Sequence, residues 1–357
     1  MTKWEYTETE LWRYGEGDIS IYHVFSTVAV GNTVLAFAEA RHGDASDGNC
    51  LHDISMRRSV DGGRSFSESV DILPSDEKYC YTNPVPVYDE EIKRLFLFYS
   101  ENINNTATLN YVMHSDDLGL SWSEAKNITG LFDAPFNLAG PGHGIQLKLG
   151  EHKGRMMVQC WHRYKGVEAP AEERRYGMSI LYSDDHGESW IHKGNFGEDI
   201  MSNESRFIET KNGIVWHTRT KDKHHCASRS LDGGETWSDF TPCPLPPVKN
   251  CDVGAISVFD KEGYDNVLLL GRISTVDARR DMRIEISYDG GESFTDSFEL
   301  MRGDAMPGYN DLCIINDGEN TVGFLHCRNN HVLFSRISMQ TLTGGKYDGT
   351  TRTVWLK

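Results

Sequence analysis

The stretch SDDHGESW at residues 183–190 decides the fold, because its pattern Ser-x-Asp-x-Gly-x-x-aromatic occurs five times in the chain. The other copies begin at Ser59, Ser115, Ser230 and Ser287. In each copy the Asp can bond nearby backbone N–H groups, the Gly tolerates a positive φ, and the aromatic residue anchors the turn in a core. The copies start 56, 68, 47 and 57 residues apart, a period that is typical of repeat architectures.

Short strand-like runs fill the chain between these turns. Runs such as 19–30, 95–99 and 332–337 are bounded by Gly, Asn and Asp, and convincing amphipathic helices are absent. The 357 residues divide into six units of about 60 residues, which suits a four-stranded propeller blade. The sequence therefore predicts an all-β, six-bladed β-propeller with four-stranded antiparallel blades, five of which carry the turn.

The propeller is predicted to be a single domain over residues 1–357, because no low-complexity linker divides the chain. Residues 1–18 are polar and are predicted to be a lead-in segment. The last strands are expected to pair with the first ones, since an open ring would expose strand edges.

The chain is strongly acidic, with 53 Asp and Glu, 36 Lys and Arg, and a net charge of −17. A nucleic-acid partner is not expected, because neutralising phosphates requires a basic surface. An anionic substrate would need a local basic pocket within this negative field.

No run of about 18 apolar residues predicts a membrane span. The N-terminus lacks an apolar signal core, which predicts a cytoplasmic location, or a secreted one if a signal has been removed.

The eight cysteines are scattered without a Cys-x-x-Cys pair. In a chain without a secretion signal this distribution predicts free, mostly buried thiols. His224, His225 and Cys226 are adjacent in sequence, but they have no partner cluster at the spacing of a zinc site. No metal and no cofactor is therefore predicted.

Three local stretches, together with the repeats, resemble the exo-sialidase (neuraminidase) family of six-bladed propellers, in its bacterial retaining type. Residues 33–41 (TVLAFAEAR) resemble the first-blade strand with its Glu-x-Arg, residues 83–87 (NPVPV) the entry to the second blade, and residues 140–146 (GPGHGIQ) a third-blade stretch. The resemblance covers essentially the whole chain. It implies a glycoside hydrolase that removes a terminal acidic sugar, sialic acid or a related ulosonic or nonulosonic acid, from a glycan or a small sugar-acid conjugate.

The resemblance also implies three catalytic residues. Asp47 stands ten residues before Arg57, at the place of the family's acid/base Asp, with Asp44 as the near alternative. Glu204 follows an Asn, as does the family's Glu, and Tyr309 follows a Gly at the place of the nucleophilic Tyr. A neutral Tyr avoids the repulsion that a carboxylate nucleophile would meet from the substrate carboxylate, and sialidases are known for this exception. Because the pKa of a free Tyr is about 10, the nucleophile needs a neighbouring base, which Glu204 would provide.

The same resemblance also implies which residues bind the substrate. Arg41 ends the Glu-x-Arg stretch, Arg219 ends the strand after Glu204, and Arg279, with Arg280 adjacent, precedes the last turn motif. Guanidinium groups suit bidentate contacts to a carboxylate. His23 stands where the family has the first Arg of its carboxylate-binding triad, so it would add full charge only when protonated, below a pKa of about 6.5.

Two alternatives stay open at this stage. The first is a propeller polysaccharide lyase or hydrolase that acts on uronic-acid glycans. His23 in place of Arg suits the lyase in particular, with Tyr or His as the base. A non-catalytic glycan-binding propeller is the other alternative, although a decayed site would not be expected to keep Asp47, Glu204 and Tyr309. Trp161 and Trp216 could line a sugar site, although core packing is favoured for both. The oligomeric state is not predicted.

Overall fold

The structure is a computed structural model, and it describes residues 5–48, 50–75, 79–166, 168–170, 173–258, 267–300, 302–303, 308–317 and 321–346. The first half of the chain contains β1 (Tyr6–Arg13), β2 (Ile19–Val30), β3 (Thr33–His42), β4 (His52–Ser59), β5 (Val70–Leu73), β6 (Tyr81–Asp89), β7 (Arg94–Ile103), β8 (Ala107–Ser115), β9 (Lys126–Asn127), a 3₁₀ turn (Thr129–Leu131), β10 (Phe136–Ala139), β11 (Ile145–Gln146) and β12 (Met156–Arg163). The second half contains β13 (Gly177–Ser183), β14 (Ile191–Phe196), β15 (Ser205–Thr210), β16 (Gly213–Thr218), β17 (Cys226–Ser230), β18 (Thr241–Pro242), β19 (Gly254–Val258), β20 (Val267–Arg272), β21 (Arg283–Ser287), β22 (Asp296–Glu299), β23 (Asp311–Ile315), β24 (Thr321–Arg328), β25 (His331–Ile337) and α1 (Met339–Leu342).

Six antiparallel sheets form the blades of a propeller, which confirms the predicted fold. Blade 1 is β2–β5, blade 2 is β6–β9, blade 4 is β15–β18 and blade 5 is β19–β22, each in chain order. Blade 3 runs β10, β12, β13, β14, and the short β11 also pairs with β12. The first strands of most neighbouring blades contact one another, as β2 does with β6 and with β23, so they lie innermost, around the propeller axis.

The five turn motifs have the same hydrogen bonds. In the copy that begins at Ser230, the Ser hydroxyl donates to Asp232 at 2.8 Å and accepts from the backbone N–H of Gly234 at 2.8 Å. Asp232 in turn accepts from the backbone N–H and the hydroxyl of Thr236, at 2.9 and 2.5 Å. Gly234 has φ +93°, a backbone conformation in which side chains other than Gly are strained. The motif therefore joins the third strand of its blade to the fourth through side-chain bonds rather than a regular hairpin.

The motif aromatics also contact neighbouring blades. Trp190 of blade 3 packs edge-on against Phe98 of blade 2, with ring centroids 4.7 Å apart. In the same way Phe66 of blade 1 packs against Phe334 of blade 6, at 5.1 Å. The aromatic residue of the first motif therefore also links the first blade to the last one.

Blade 6 is closed by the N-terminal segment. Strand β1 is its outermost strand and pairs with β25 from Tyr6, opposite Ile337, to Arg13, opposite His331. Residues 1–18, expected only as a lead-in segment, thus contribute a strand of the last blade. The pairing follows the expectation that the two ends of the propeller meet, and it leaves β25 without an exposed edge.

The antiparallel order fixes which end of the propeller carries the site. The starts of the innermost strands and the ends of the second strands lie at one end of the blades, and the turn motifs, after the third strands, lie at the other.

All eight cysteines are free, as predicted, and six of them are buried. Among the described residues, no helix has the length and apolar character needed to cross a membrane.

Replacing Asp232 by Asn tests the contribution of a motif to stability, because Asn keeps the size of the side chain but loses its charge. We expect the free energy of unfolding in a urea titration near pH 7 to fall by about 1–2 kcal/mol. Hydrogen bonds from Thr236 and Ser230 outweigh the effect of burial and lower the pKa of Asp232 to about 2. The difference between the two proteins should therefore be complete above about pH 4 and disappear as the pH falls toward 2.

Asp239→Asn provides the matched control, since Asp239 is exposed, lies in the same blade and is outside the motif. Equal losses of stability in the two variants would contradict a specific role of the motif.

Candidate active site

A cavity of about 310 Å³ lies at the end of the propeller opposite the turn motifs. It is bounded by the starts of β2, β6 and β10, by the ends of β3, β7 and β12, and by loop residues that precede β15 and β23. Seven of the eight predicted site residues line it: His23, Arg41, Asp47, Glu204, Arg219, Arg279 and Tyr309. Residues that lie far apart in the sequence are thus brought together by the ring of blades.

Two residues named from the sequence do not line the cavity. Arg280 donates to the carboxylate of Asp277 at 2.5 Å in a pair that is largely exposed. Although Arg280 follows Arg279 in the sequence, consecutive residues can direct their side chains to different sides of the backbone, and only Arg279 lines the cavity. Asp44, the alternative to Asp47, accepts a hydrogen bond from the backbone N–H of Ser46 at 3.0 Å and serves as a turn residue.

Tyr309, Glu204 and Arg219 form a hydrogen-bonded group at the base of the cavity. The Tyr309 hydroxyl donates to one carboxylate oxygen of Glu204, and Arg219 donates to the other through Nη1. The same Arg219 nitrogen lies 3.3 Å from the Tyr309 hydroxyl oxygen and donates to it. Glu204 is 8% exposed and Tyr309 is 6% exposed, so the group is shielded from bulk water.

Burial and the Glu204 carboxylate both raise the pKa of Tyr309 well above its ordinary value. The free hydroxyl is therefore neutral, and it can act as a nucleophile only if its proton passes to a base during the reaction. Glu204 already accepts that proton in a hydrogen bond. Arg219 loses hydration on burial, but the neighbouring Glu204 raises its pKa above the usual value, so it stays charged. The arrangement fits a nucleophile and base pair with an adjacent cation.

Arg41 is held by a second buried carboxylate. Its guanidinium donates to Glu39 at 2.8 and 2.6 Å, and Glu39 is fully buried. The other oxygen of Glu39 accepts from the backbone N–H of Asn83 at 2.8 Å, which ties blade 1 to blade 2. The Glu-x-Arg spacing puts both side chains on the same face of β3, as residues i and i+2 of a strand require.

Asp47 lies at the rim of the cavity, and its side chain is 79% exposed. It accepts a 2.5 Å hydrogen bond from Nη1 of Arg41. The loop around it is held from both sides, since Asn102 donates to the backbone carbonyl of Asp47 at 2.7 Å and His52 contacts the carbonyl of Ser46 at 3.0 Å. A carboxylate in a fixed loop at the mouth of a cavity can exchange protons with a bound ligand and with water.

His23 lies between Arg41 and Tyr309. Its Nδ1 is 3.2 Å from Nη2 of Arg41, and its ring is 4.5 Å from the Tyr309 ring. Burial lowers the pKa of His23 well below its ordinary value, and the positive charges of Arg41 and Arg279 lower it further. The ring is therefore neutral, with Nδ1 accepting from Arg41, which leaves the Nε2–H as its donor.

Arg279 completes the basic side of the cavity. Its guanidinium carbon lies 5.6 Å from the centre of the Tyr309 ring, and its Nη2 donates to the backbone carbonyl of Asn250 at 3.0 Å. Arg219 and Arg279 thus flank Tyr309, as the predicted carboxylate contact requires. A local basic pocket exists despite the net charge of −17. Within the described ranges, no group of three or more His, Cys, Asp and Glu is arranged to hold a metal ion.

Comparison with known families and proteins agrees with this geometry. The model of the BNR repeat-like domain matches residues 32–327. The chain belongs to the BNR repeat-like domain family. A sialidase of Micromonospora viridifaciens is 25% identical over 95% of this chain and 55% of its own length. The leech Macrobdella decora has an anhydrosialidase that is 31% identical over 41% of this chain and 19% of its own length.

Among solved structures, the Hadza microbial sialidase Hz136 superposes with a TM-score of 0.80, at 23% identity, over 94% of this chain and 69% of its own. This likeness supports the six-bladed fold. The resemblance to sialidases noted in the sequence is confirmed by these relatives. The chain spans about half, or less, of the length of the two curated relatives named above.

Several residues of the cavity in this BNR-repeat chain were missed in the sequence. Phe136, Arg163 and Tyr176 line it without having been named, and Trp161, for which core packing was favoured over a place in a sugar site, lines it as well. Trp216 does lie in the core and is fully buried. One sequence signal was available. The WHR at residues 161–163 lies at the end of the second strand of blade 3. The similar WHTR at residues 216–219, from which Arg219 was identified, lies at the end of the second strand of blade 4.

Replacing Asn102 by Ala tests whether blade 2 holds the Asp47 loop. The variant loses the 2.7 Å bond to the Asp47 carbonyl, so we expect amide hydrogen exchange in residues 43–48 to become about five-fold faster, the effect of about 1 kcal/mol. Mass-spectrometric hydrogen exchange measures the change. Asn127→Ala, in strand β9 of the same blade, should leave these amides unchanged, and unchanged exchange in both variants would contradict the assignment.

Proposed function

We propose that this protein is a retaining exo-sialidase-like glycoside hydrolase, with Tyr309 as the nucleophile, Glu204 as its base and Asp47 as the general acid and base. The observation that carries the proposal is the hydrogen bond from the Tyr309 hydroxyl to Glu204 inside a cavity that is basic on one side and carries Asp47 at its rim. The substrate is a terminal acidic sugar, sialic acid or a related nonulosonic or ulosonic acid, on a glycan or a small conjugate.

The substrate carboxylate would bind between Arg219 and Arg279, which flank Tyr309. Both can donate charge-assisted hydrogen bonds, which are roughly twice as strong as neutral ones. His23 would contribute a third, neutral donor through its Nε2–H. This placement sets the anomeric carbon, which carries the carboxylate, over the Tyr309 hydroxyl.

In the first step, the Tyr309 oxygen attacks the anomeric carbon while its proton passes to Glu204. Asp47 donates a proton to the leaving glycosidic oxygen, so the bond to the aglycone breaks as the bond to Tyr309 forms. Transfer of the proton to Glu204 is what makes attack possible, because the pKa of Tyr309 is raised and a free phenolate does not form. Arg219, which donates to both groups, would stabilise the negative charge that moves from Glu204 to the phenol oxygen as the proton is transferred.

In the second step, Asp47 takes a proton from water, and the water oxygen attacks the anomeric carbon from the side the aglycone has left. The bond to Tyr309 breaks, and Glu204 returns the proton to the phenol oxygen. Two displacements at one carbon retain the anomeric configuration. Because Asp47 is 79% exposed at the rim, water reaches it directly once the aglycone has gone.

The relatives support the substrate class, since the two curated relatives described above are a sialidase and an anhydrosialidase. The second name raises the question of which acceptor receives the sugar. Water gives the free sugar acid, whereas an internal hydroxyl would give an anhydro sugar. Proton NMR of the first product distinguishes the two, and we expect the free acid in its retained anomer.

The lyase alternative has less support from the geometry. A lyase base must accept a proton from carbon, but Nδ1 of His23 already accepts a hydrogen bond from Arg41, and Tyr309 is a hydrogen-bond donor to Glu204. An ultraviolet-absorbing unsaturated product from a uronate polymer would favour that alternative.

Replacing Tyr309 by Phe removes only the attacking oxygen. We expect kcat on a 4-methylumbelliferyl sialoside to fall by roughly 10³-fold or more, because the covalent route is lost. The matched control is Tyr164→Phe, whose hydroxyl donates to Asn195 at 3.0 Å in an exposed position. Unchanged turnover by the Tyr309 variant, or no turnover of any acidic glycoside by the wild type, would refute the proposed function.

Replacing His23 by Gln tests whether this residue acts as a neutral donor. Because the pKa of His23 is lowered, its ring stays neutral as the pH falls through about 6.5, the ordinary value for a free His. We therefore expect wild type and His23→Gln to show the same pH dependence of KM between about pH 6 and 8. A His23→Arg variant should lower KM through an added charge-assisted bond. A KM that rises in the wild type alone above about pH 6.5 would show that protonated His23 is required.

A further inference from the structure

The segment at residues 248–252, between β18 and β19, is held by the two blades that it connects. The backbone N–H of Lys249 donates to the carbonyl of Thr275, in the loop after the second strand of blade 5, at 2.7 Å. The carbonyl oxygen of Cys251 lies 3.0 Å from Nε2 of His225, which directly precedes the third strand of blade 4. The backbone of the segment is thus fixed on both sides of its central residue.

That central residue, Asn250, contacts both of the arginines that flank Tyr309. Its side-chain Oδ1 accepts a hydrogen bond from Nε of Arg219, and its backbone carbonyl accepts one from Nη2 of Arg279 at 3.0 Å. The amide oxygen must be the atom that faces Arg219, because a guanidinium N–H can only donate. Asn250 does not itself line the cavity. One residue outside the cavity therefore contacts two guanidinium groups that line it.

The remaining hydrogen bonds of Arg219 show which of its donors are left for a ligand. Its Nη1 donates to Glu204 and to the hydroxyl oxygen of Tyr309. Together with the bond from Nε to Asn250, these contacts occupy one side and one end of the guanidinium group. The Nη2 group makes no hydrogen bond to a described residue, so its N–H bonds are the ones that can meet a carboxylate.

Among these three partners of Arg219, only Asn250 is chemically unchanged during the proposed reaction. Glu204 becomes neutral when it takes the proton, and the Tyr309 oxygen becomes bonded to the sugar. The bond from Arg219 to Glu204 is then weaker, because charge-assisted hydrogen bonds are roughly twice as strong as neutral ones. The amide of Asn250 keeps the same acceptor in place at every step.

We propose that Asn250 is a positioning residue that orients the guanidinium groups of Arg219 and Arg279 toward the substrate carboxylate. An Arg side chain loses rotational freedom when it binds a ligand, and a guanidinium group that is already held in direction loses less. The side chain of Asn250 preorganises Arg219, and its carbonyl preorganises Arg279. The inference rests on the proposed function, which defines the carboxylate site.

Replacing Asn250 by Ala removes the contact to Arg219 alone, because the backbone carbonyl that accepts from Arg279 remains. The φ of Asn250 is not positive, so Ala can adopt the same backbone conformation. We expect kcat/KM on a 4-methylumbelliferyl sialoside to fall by about ten-fold, the effect of one hydrogen bond to a charged group. Asn250→Asp keeps an oxygen at the same place and should stay within about three-fold of the wild type.

A double-mutant cycle separates this role from a general effect on the fold. In an Arg279→Ala background, Asn250→Ala should still cost about ten-fold in kcat/KM, because Arg219 is present. In an Arg219→Ala background it should cost less than about two-fold, because the contact has already been lost. The Kd of 2-deoxy-2,3-didehydro-N-acetylneuraminic acid, measured by calorimetry, gives the same comparison without turnover.

Lys249→Ala is the matched control. Lys249 precedes Asn250 in the same segment, its side chain is exposed, and the backbone N–H that bonds Thr275 is kept. The variant should remain within about two-fold of the wild type at about 0.15 M salt, where the loss of one exposed charge is largely screened. Thermal unfolding of each variant shows whether it is folded.

No loss by Asn250→Ala, or equal losses in the two arginine backgrounds, would overturn the inference while the wild type still hydrolyses the sialoside. If Asn250→Ala fails to fold, Asn250→Leu tests the same contact, because Leu keeps the size and shape of the amide side chain but offers no acceptor. Failure of the wild type to hydrolyse the sialoside would instead count against the proposed function itself.

Discussion

The contact of the first turn motif with the last blade is the interaction on which the rest of the structure depends. Phe66 packs against Phe334, Arg336 donates to the carbonyl of Gly62, and β1 completes the sheet of β25. These contacts make a ring out of a linear array of blades. His23 comes from blade 1 and Tyr309 from the start of blade 6, so their rings lie 4.5 Å apart only because the ring is closed.

Within this ring, several buried charges occur as linked pairs. Glu39 is paired with Arg41, Glu204 with Arg219, and Asp252 with Arg206. Burying an ion pair costs desolvation energy that its own attraction barely offsets, so such pairs are weak arguments for stability. Here the ion pairs serve to hold side chains in position. Each joins residues from loops or strands that packing alone would leave free, and together they fix the direction of the Arg41 and Arg219 guanidinium groups.

The fold was predictable because its signal is local and repeated. Each turn motif encodes its own hydrogen bonds in eight residues, and the spacing of the five copies, set against the length of the chain, indicated six blades. Most of the site was also predictable, but only where a residue such as Glu204 or Tyr309 belongs to a short recognisable stretch. Arg280 was misplaced because sequence adjacency does not fix side-chain direction. Arg163 was missed, and Trp161 could not be told from a core residue, because a residue at a strand end shows its surroundings only once the neighbouring blades are in place.

The replacement of an expected arginine by His23 alters the electrostatics of the cavity more than its shape. Arg41, Arg163, Arg219 and Arg279 already line it, against the carboxylates of Asp47 and Glu204. A neutral ring at position 23 keeps a donor near the Tyr309 hydroxyl without adding to the repulsion among these guanidinium groups. Binding of a carboxylate then depends less on total charge and more on the fixed positions of the donors. Such a cavity discriminates by the placement of ligand oxygens rather than by charge alone.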